Sequence, residues 1–99
     1  MVSTRQLLLK TKMKIKGFRK DNPNGSLPEA GQYGRGPDGN WFGCVAASGD
    51  KSDLFLCNLS KHEVVEHPDG TITVSPSILV TNHRGGWHGY LRDGSWEEC

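Results

Sequence analysis

The feature that most constrains the fold is the stretch at residues 67–96, HPDGTITVSPSILVTNHRGGWHGYLRDGSW. Apolar and polar residues alternate through TITVS and WHGYL, and an Asp-Gly pair lies next to each of these runs. Alternation with a period of two places successive side chains on opposite faces of a strand. Asp-Gly is a preferred turn of β-hairpins. The stretch therefore predicts two hairpins, one formed with the preceding HEVVEH and one formed by WHGYL and SWEE.

The same reading extends over the chain from residue 41 onward. NWFGCVAAS, DLFLCNL and SILVT each have the length and composition of a strand, and we expect DLFLCNL to be buried on both faces. In the first hairpin, Val64 with Ile72 or Val74 are the expected inward residues. Strands recur about every ten residues with turn signals between them, which predicts a mainly β protein, a small antiparallel sheet or incomplete barrel built from hairpins.

The 99 residues form one domain with three expected parts. Residues 1–20 are a basic N-terminal arm or an edge strand, because lysines discourage further pairing. Residues 21–40 hold three prolines and many glycines, which predicts a long Gly/Pro loop without a helix or central strand. Residues 41–99 form a single β-rich domain. Met13 could be a second translation start, so residues 1–12 are either functional or an idle extension.

Charge is distributed unevenly along the chain. Residues 1–20 carry seven basic side chains and no acid, whereas the remaining residues carry five basic and eleven acidic side chains, a net charge of −6. A basic arm on an acidic body could contact nucleic acid or an acidic protein, or it could be a solvated tail. The candidate nucleic-acid residues are Lys10, Lys12, Lys14, Lys16, Arg19 and Lys20.

Cysteine usage and hydropathy set the expected compartment. The three cysteines are an odd number, and the apolar run at residues 7–9 is too short for a signal peptide or a spanning helix. We therefore expect free thiols, no membrane association and a cytoplasmic location.

Metal binding and catalysis have few candidate residues. Cys57, His83 and His88 are the best zinc ligands, but the sequence contains neither a Cys-x2-Cys nor a His-x3-His knuckle. The prediction is accordingly no cofactor, with zinc as the alternative. Cys44 and Cys57 lie in apolar runs where cysteine is usually an inert core residue, so no catalytic residue is assigned.

The three tryptophans are the expected core anchors. If Trp87 points inward, the alternation turns His88 and Tyr90 outward on one face. Aromatic and arginine side chains are enriched at interface hot spots. The candidate partner-binding residues are therefore Trp87, His88, Tyr90 and Arg92.

The runs HEVVEHPDGTITVSPSILV and GGWHGYLRDGSWEEC resemble a family of small proteins of bacteriophages and prophages, over about residues 54–99. Some members carry the label ammonia monooxygenase, which the residues do not support. Broader relatives are rich in cysteine in a pattern suited to zinc, whereas this chain has the lone Cys57 at that place. The resemblance implies a phage origin but no particular activity.

A phage origin suggests a function by analogy with other small phage proteins. The leading hypothesis is a non-enzymatic accessory protein in the host bacterial cytoplasm, which binds and modulates or inhibits a host protein, such as an antiviral defence protein. It would act through its acidic body or through the loop at 21–40. The alternatives are a small zinc-binding domain or metal-dependent enzyme, a minor virion component, and a nucleic-acid-binding protein.

Overall fold

The computed structural model describes residues 14–46, 54–82 and 85–99. These residues form ten strands and no helix: β1 (Lys14–Lys16), β2 (Phe18–Arg19), β3 (Gln32–Arg35), β4 (Trp41–Ala46), β5 (Leu54–Asn58), β6 (Glu63–Glu66), β7 (Ile72–Ser75), β8 (Ile78–Asn82), β9 (Gly85–Arg92) and β10 (Ser95–Glu98). The predicted mainly β fold with small antiparallel sheets is confirmed, and the sheets do not close into a barrel.

The first sheet has the strand order β1-β10-β9-β8, and all its neighbours are antiparallel. The predicted hairpin of WHGYL and SWEE forms β9 and β10, and Asp93 at its turn adopts a φ of 48°. Burial alternates along β9, so that Trp87 and Leu91 face the core while His88 and Arg92 are exposed. The alternation read from the sequence is the one that the strand adopts.

The second sheet has the order β2-β3-β4-β5, with β2 parallel to β3 and the other neighbours antiparallel. It corrects the prediction that 21–40 is a loop throughout, because β3 is an inner strand of this sheet and Tyr33 lies in the core. Glycine enables this placement. A Cβ at Gly34 would lie 2.5 Å from the Lys20 carbonyl oxygen, so only a residue without a side chain fits there.

β5 also differs from its prediction. Leu56 is exposed while its neighbours Phe55 and Cys57 are buried, so DLFLCNL alternates and is buried on one face only. The physical reason is that the face of β5 that carries Leu56 borders an open groove and does not pack against the core.

The remaining two strands, β6 and β7, form the predicted hairpin around the Asp69-Gly70 turn. Val64 pairs with Val74, Ile72 and Val74 are buried, and Val64 packs against the core. The predicted inward residues are confirmed.

One core joins the three sheets. The rings of Trp87 and Trp96 meet edge to face with centroids 5.7 Å apart, a favourable geometry for aromatic pairs. The Trp96 indole N–H donates a hydrogen bond to the Gly31 carbonyl at 3.0 Å, which ties β10 to the start of β3. The core residues are Tyr33, Val45, Phe55, Cys57, Leu59, Ile72, Val74, Ile78, Trp87, Leu91 and Trp96.

The predicted boundaries at residues 20 and 40 do not separate structural units. β1 pairs with β10 at one edge of the first sheet, as an edge strand would, while β3 pairs with β4 across the second boundary. Residues 14–40 are therefore integral to the folded domain. Lys10, Lys12 and the proposed extension at 1–12 lie outside the described residues.

Candidate functional site

A groove of about 550 Å³ lies on the side of the second sheet that faces away from the core. Phe42 pairs with Asn58 and Cys44 pairs with Leu56, and directly opposed residues share one face of a sheet. Phe42, Leu56 and Asn58 form the floor of the groove. Its walls are formed by two segments of the predicted loop, one with residues 22 and 25–28 and the other with residues 36–38 and 40. The volume is within the range of sites that bind small molecules or side chains.

Two exposed leucines contribute apolar surface to this groove. Leu27 in the wall is 87% exposed, and Leu56 in the floor is 61% exposed. The half-buried side chain of Phe42 extends the apolar lining, while Trp41 borders the groove and packs against the core from the other face of β4. Exposed apolar side chains gathered in one concavity are typical of a site that is covered by a ligand or partner.

Local hydrogen bonds order the wall that carries Leu27. The Asn22 side chain accepts hydrogen bonds from the Ser26 backbone N–H and hydroxyl, and its amide donates back to the Ser26 carbonyl. Gly25 between them has a φ of 70°, a conformation that residues with a Cβ rarely adopt. Asn22 also donates its backbone N–H to the Arg35 carbonyl, which anchors the wall to β3. Hydrogen bonds within the folded chain therefore hold this wall of the groove in place.

Two arginines stack on Trp41, which borders the groove and packs against the core. The guanidinium groups of Arg19 and Arg35 lie 4.8 and 4.4 Å from its ring centroid. Arg19 forms ion pairs with Asp21 at 3.0 Å and Glu66 at 2.6 Å. The hydrogen bond from Arg19 lowers the pKa of the Asp21 carboxyl. These contacts fix the position of Trp41 and neutralise the charges around it.

The predicted metal ligands do not come together. Cys57 lies in the core, its thiol faces the Phe55 carbonyl at 3.8 Å, and burial raises its pKa to about 12. His88 lies on the face of β9 that points away from the core, opposite to Trp87. The first sheet therefore separates the His88 side chain from Cys57 in the core. Within the described ranges no three His, Cys, Asp or Glu side chains could share an ion, and His83 lies outside those ranges. Cys57 and His88 therefore do not share a metal site, which corrects the predicted set of Cys57, His83 and His88 for these two residues.

The predicted partner-binding residues divide into buried and exposed side chains. Trp87 is only 2% exposed because it packs in the core, so it does not belong to a surface patch. His88 and Arg92 are exposed, and the Arg92 guanidinium lies 4.0 Å from the Tyr90 ring centroid. A role for His88, Tyr90 and Arg92 in binding a partner stays a prediction.

The predicted nucleic-acid residues also lie in different places. Lys14 and Lys16 are exposed on β1, whereas Arg19 is held by its ion pairs and by Trp41 on the second sheet. Lys20 is exposed just after β2. The described basic residues of this set therefore do not all lie on one surface, and the binding of the set to nucleic acid stays a prediction.

Two side-chain clusters contain histidine and a hydroxyl. His88 Nε2 lies 3.0 Å from the Ser77 hydroxyl on an exposed surface. In the second cluster, His67 Nε2 lies 2.7 Å from the Thr73 hydroxyl and 3.1 Å from the Asp93 carboxylate. Both of these partners approach the same ring nitrogen, whereas a catalytic triad places the carboxylate on the other nitrogen. The Asp93 backbone N–H also donates to the Thr73 hydroxyl, so this cluster braces the Asp93-Gly94 turn.

Comparisons with family models, with curated proteins and with solved structures returned no match for this chain. Within the described residues there is no helix that is long and apolar enough to cross a membrane.

Sequence reasoning missed the groove, although it pointed to the segment that walls it. Leu27 lies among glycine, serine and proline in a segment interpreted as a loop, and Leu56 lies in a run interpreted as fully buried. One signal was present. Leu54, Leu56 and Asn58 alternate with Phe55 and Cys57, and a polar Asn58 at that period indicates an outward face that includes Leu56.

Proposed function

We propose that the protein is a binding module, and that its groove receives apolar side chains of a protein partner. The observation that carries this proposal is the pair of exposed leucines, Leu27 and Leu56, on two sides of one ordered concavity. Covering them would remove apolar surface from water, which is the main driving force of protein association. Phe42 adds an aromatic side chain to the floor of the groove, and aromatic residues are enriched at protein interfaces.

The groove also selects the chemistry of the partner. Its polar side chains are neutral apart from Asp38, which lies at the outer turn: the others are Asn22, Ser26, Asn40 and Asn58. A strongly charged segment would find no paired charges in it, and burying an unpaired charge costs free energy. An extended segment with leucine, phenylalanine or methionine side chains and one or two amide hydrogen bonds fits this lining best.

The biological setting is proposed from the sequence resemblance. A phage accessory protein that binds and modulates or inhibits a host protein requires such a module, and the segment 21–40 expected to act in it supplies both walls of the groove. The observations favour this candidate over a zinc-binding domain, since Cys57 and His88 lie apart.

A displayed library of random peptides, selected against the intact protein, tests the groove without knowledge of the partner. We expect selected peptides to be rich in apolar and aromatic residues. Leu56→Glu should weaken the binding of these peptides at least about tenfold, because it places an unpaired carboxylate in the floor of the groove. Leu79→Glu is the matched control, since Leu79 is 68% exposed but lies on the first sheet.

The unfolding midpoints of both variants show whether either substitution disturbs the fold. Peptides that bind the Leu56→Glu and wild-type proteins equally, or a selection that enriches no peptide, would contradict the proposal.

A further inference from the structure

One face of the first sheet carries side chains that are exposed or half-buried throughout the described residues. Lys14, Glu97 and Tyr90 lie side by side across three strands, and so do Lys16, Ser95 and Arg92. Directly opposed residues point to the same side. His88 and Leu79 continue this surface on β9 and β8, where both side chains are exposed. We call this surface the basic face and define it by Lys14, Lys16, Leu79, His88, Tyr90, Arg92, Ser95 and Glu97.

The charge of the basic face differs from that of the rest of the described chain. It holds three permanent cations, Lys14, Lys16 and Arg92, and one acid, Glu97, a net charge of +2. The other described residues hold four cations and eight acids, a net charge of −4. Among the described residues, positive charge is thus concentrated on this sheet face, and such a patch attracts polyanions.

Planar groups accompany these cations. The Arg92 guanidinium lies 4.0 Å from the centroid of the Tyr90 ring, and this stack leaves the guanidinium plane for a further planar group. His88 precedes Tyr90 by two residues and lies on the same face of β9, at a distance of about 7 Å along the strand. Bases of single-stranded nucleic acid stack on aromatic rings and on arginine planes, while lysines meet their phosphates.

We propose that the basic face binds single-stranded nucleic acid, with bases on His88 and the Arg92–Tyr90 stack and phosphates on Lys14 and Lys16. A pleated sheet face suits a splayed single strand, whereas reading a duplex requires an element that enters a groove. The described residues offer no helix for that purpose. This activity is separate from the peptide-binding groove on the second sheet, and either proposal can fail alone.

Fluorescence anisotropy with a labelled 15-nucleotide oligothymidine tests the inference on the full chain. Two lysines that meet phosphates give a salt slope of about −1.4, so affinity should fall about sevenfold between roughly 50 and 200 mM salt. Lys14→Glu combined with Lys16→Glu should reduce affinity at least about tenfold, and Tyr90→Ala at least about fivefold. Lys61→Glu is the matched control, because Lys61 is an exposed lysine in the turn before β6.

Glu97→Gln distinguishes a real site from damage to the fold. Glu97 lies between Lys14 and Tyr90, so removing its charge should raise affinity about threefold, which misfolding would not do. The proposal is overturned if oligothymidine does not bind at low salt, or if Glu97→Gln weakens binding. It is also overturned if the basic-face variants lose no more affinity than Lys61→Glu, or if duplex DNA competes as well as the single strand, since that would indicate attraction to any polyanion.

Discussion

The two four-stranded sheets use the same strand chemistry in different ways. In the first sheet every neighbour is antiparallel, and one face packs in the core while the described side chains of the other are exposed or half-buried. In the second sheet Cys44 shares a face with the exposed Leu56 and is nevertheless buried, and Ala46 beyond it is buried too. Alternation thus reports orientation toward the core in both sheets, but it reports solvent exposure only where no other segment approaches the outer face.

The largest expected difference between the two sheets is in how much the free energy of unfolding falls when a tryptophan is replaced by alanine. Trp96→Ala should reduce the free energy of unfolding by about 3–5 kcal/mol, because Trp96 is fully buried against Trp87. Trp41→Ala should cost about 2 kcal/mol, since Trp41 is half-buried, packs only against the margin of the core and is stacked by two arginines. Urea unfolding followed by circular dichroism measures both. Equal losses would contradict the different roles assigned to the two residues.

A second prediction concerns the contact between the sheets. A Cβ at Gly43 would lie 2.4 Å from the Trp96 ring, so the two sheets cannot keep their spacing with a larger residue there. Gly43→Ala should therefore cost about 1–3 kcal/mol in the same unfolding measurement. Gly36→Ala in the turn is the control and should change stability by about 0.5 kcal/mol or less, because its Cβ would meet only ordinary contacts. A neutral Gly43→Ala variant would disprove the close packing.

The cysteines sharpen the difference between buried and exposed positions, because Cys44 and Cys57 are buried on opposite faces of the second sheet. Burial raises the pKa of the Cys57 thiol to about 12 and also raises that of Cys44, whereas Cys99 is exposed. Iodoacetamide at pH 8 should therefore alkylate one thiol of the native protein rapidly and all three in urea, as counted by intact mass. Rapid labelling of Cys57 in the folded state would contradict its place in the core.

The raised pKa also gives the sign of a pH effect. Because the folded state holds the Cys57 proton more tightly, its contribution to stability is fully present below the unfolded pKa of about 8.5 and is lost as pH rises toward 12. Cys57→Ala should flatten this part of the alkaline stability curve.

The smallest expected effect is that of the exposed ion pairs beside Trp41. Arg19→Gln should cost about 1 kcal/mol or less at neutral pH, since exposed pairs are screened by water. The pKa of Asp21 is lowered in the folded state, so the stabilisation by this pair is present above about pH 4 and is lost as pH falls through the folded pKa. The difference between the variant and wild-type proteins should therefore shrink in acid. A larger difference at low pH would contradict this assignment.

The sequence predicted the fold best where local signals and the tertiary environment agree. The two Asp-Gly hairpins, the inward Ile72 and Val74 and the outward His88 follow from alternation and turn chemistry alone. β3 could not be predicted in this way. Its glycine fits a close approach to the Lys20 carbonyl, which depends on residues distant in sequence, and glycine beside proline otherwise indicates a loop.

The candidate surfaces were predictable only in part. The outward positions of Tyr90 and Arg92 follow from the alternation, but the pairing of β1 with β10 that brings Lys14 and Lys16 to the same face is a long-range contact. The groove requires the wall that carries Leu27 to pack beside β4 and β5. No local pattern encodes that arrangement, so its residues were not identified from the sequence.

Amide chemical shifts of the isotope-labelled protein test the central claim most directly, which is that the groove is the site for a protein partner. We predict that a library-selected peptide shifts the amides of Leu27, Phe42 and Leu56 and leaves those of His88 and Tyr90 unchanged. Shifts confined to the basic face, or spread over both sheets without a maximum at the groove, would contradict the account.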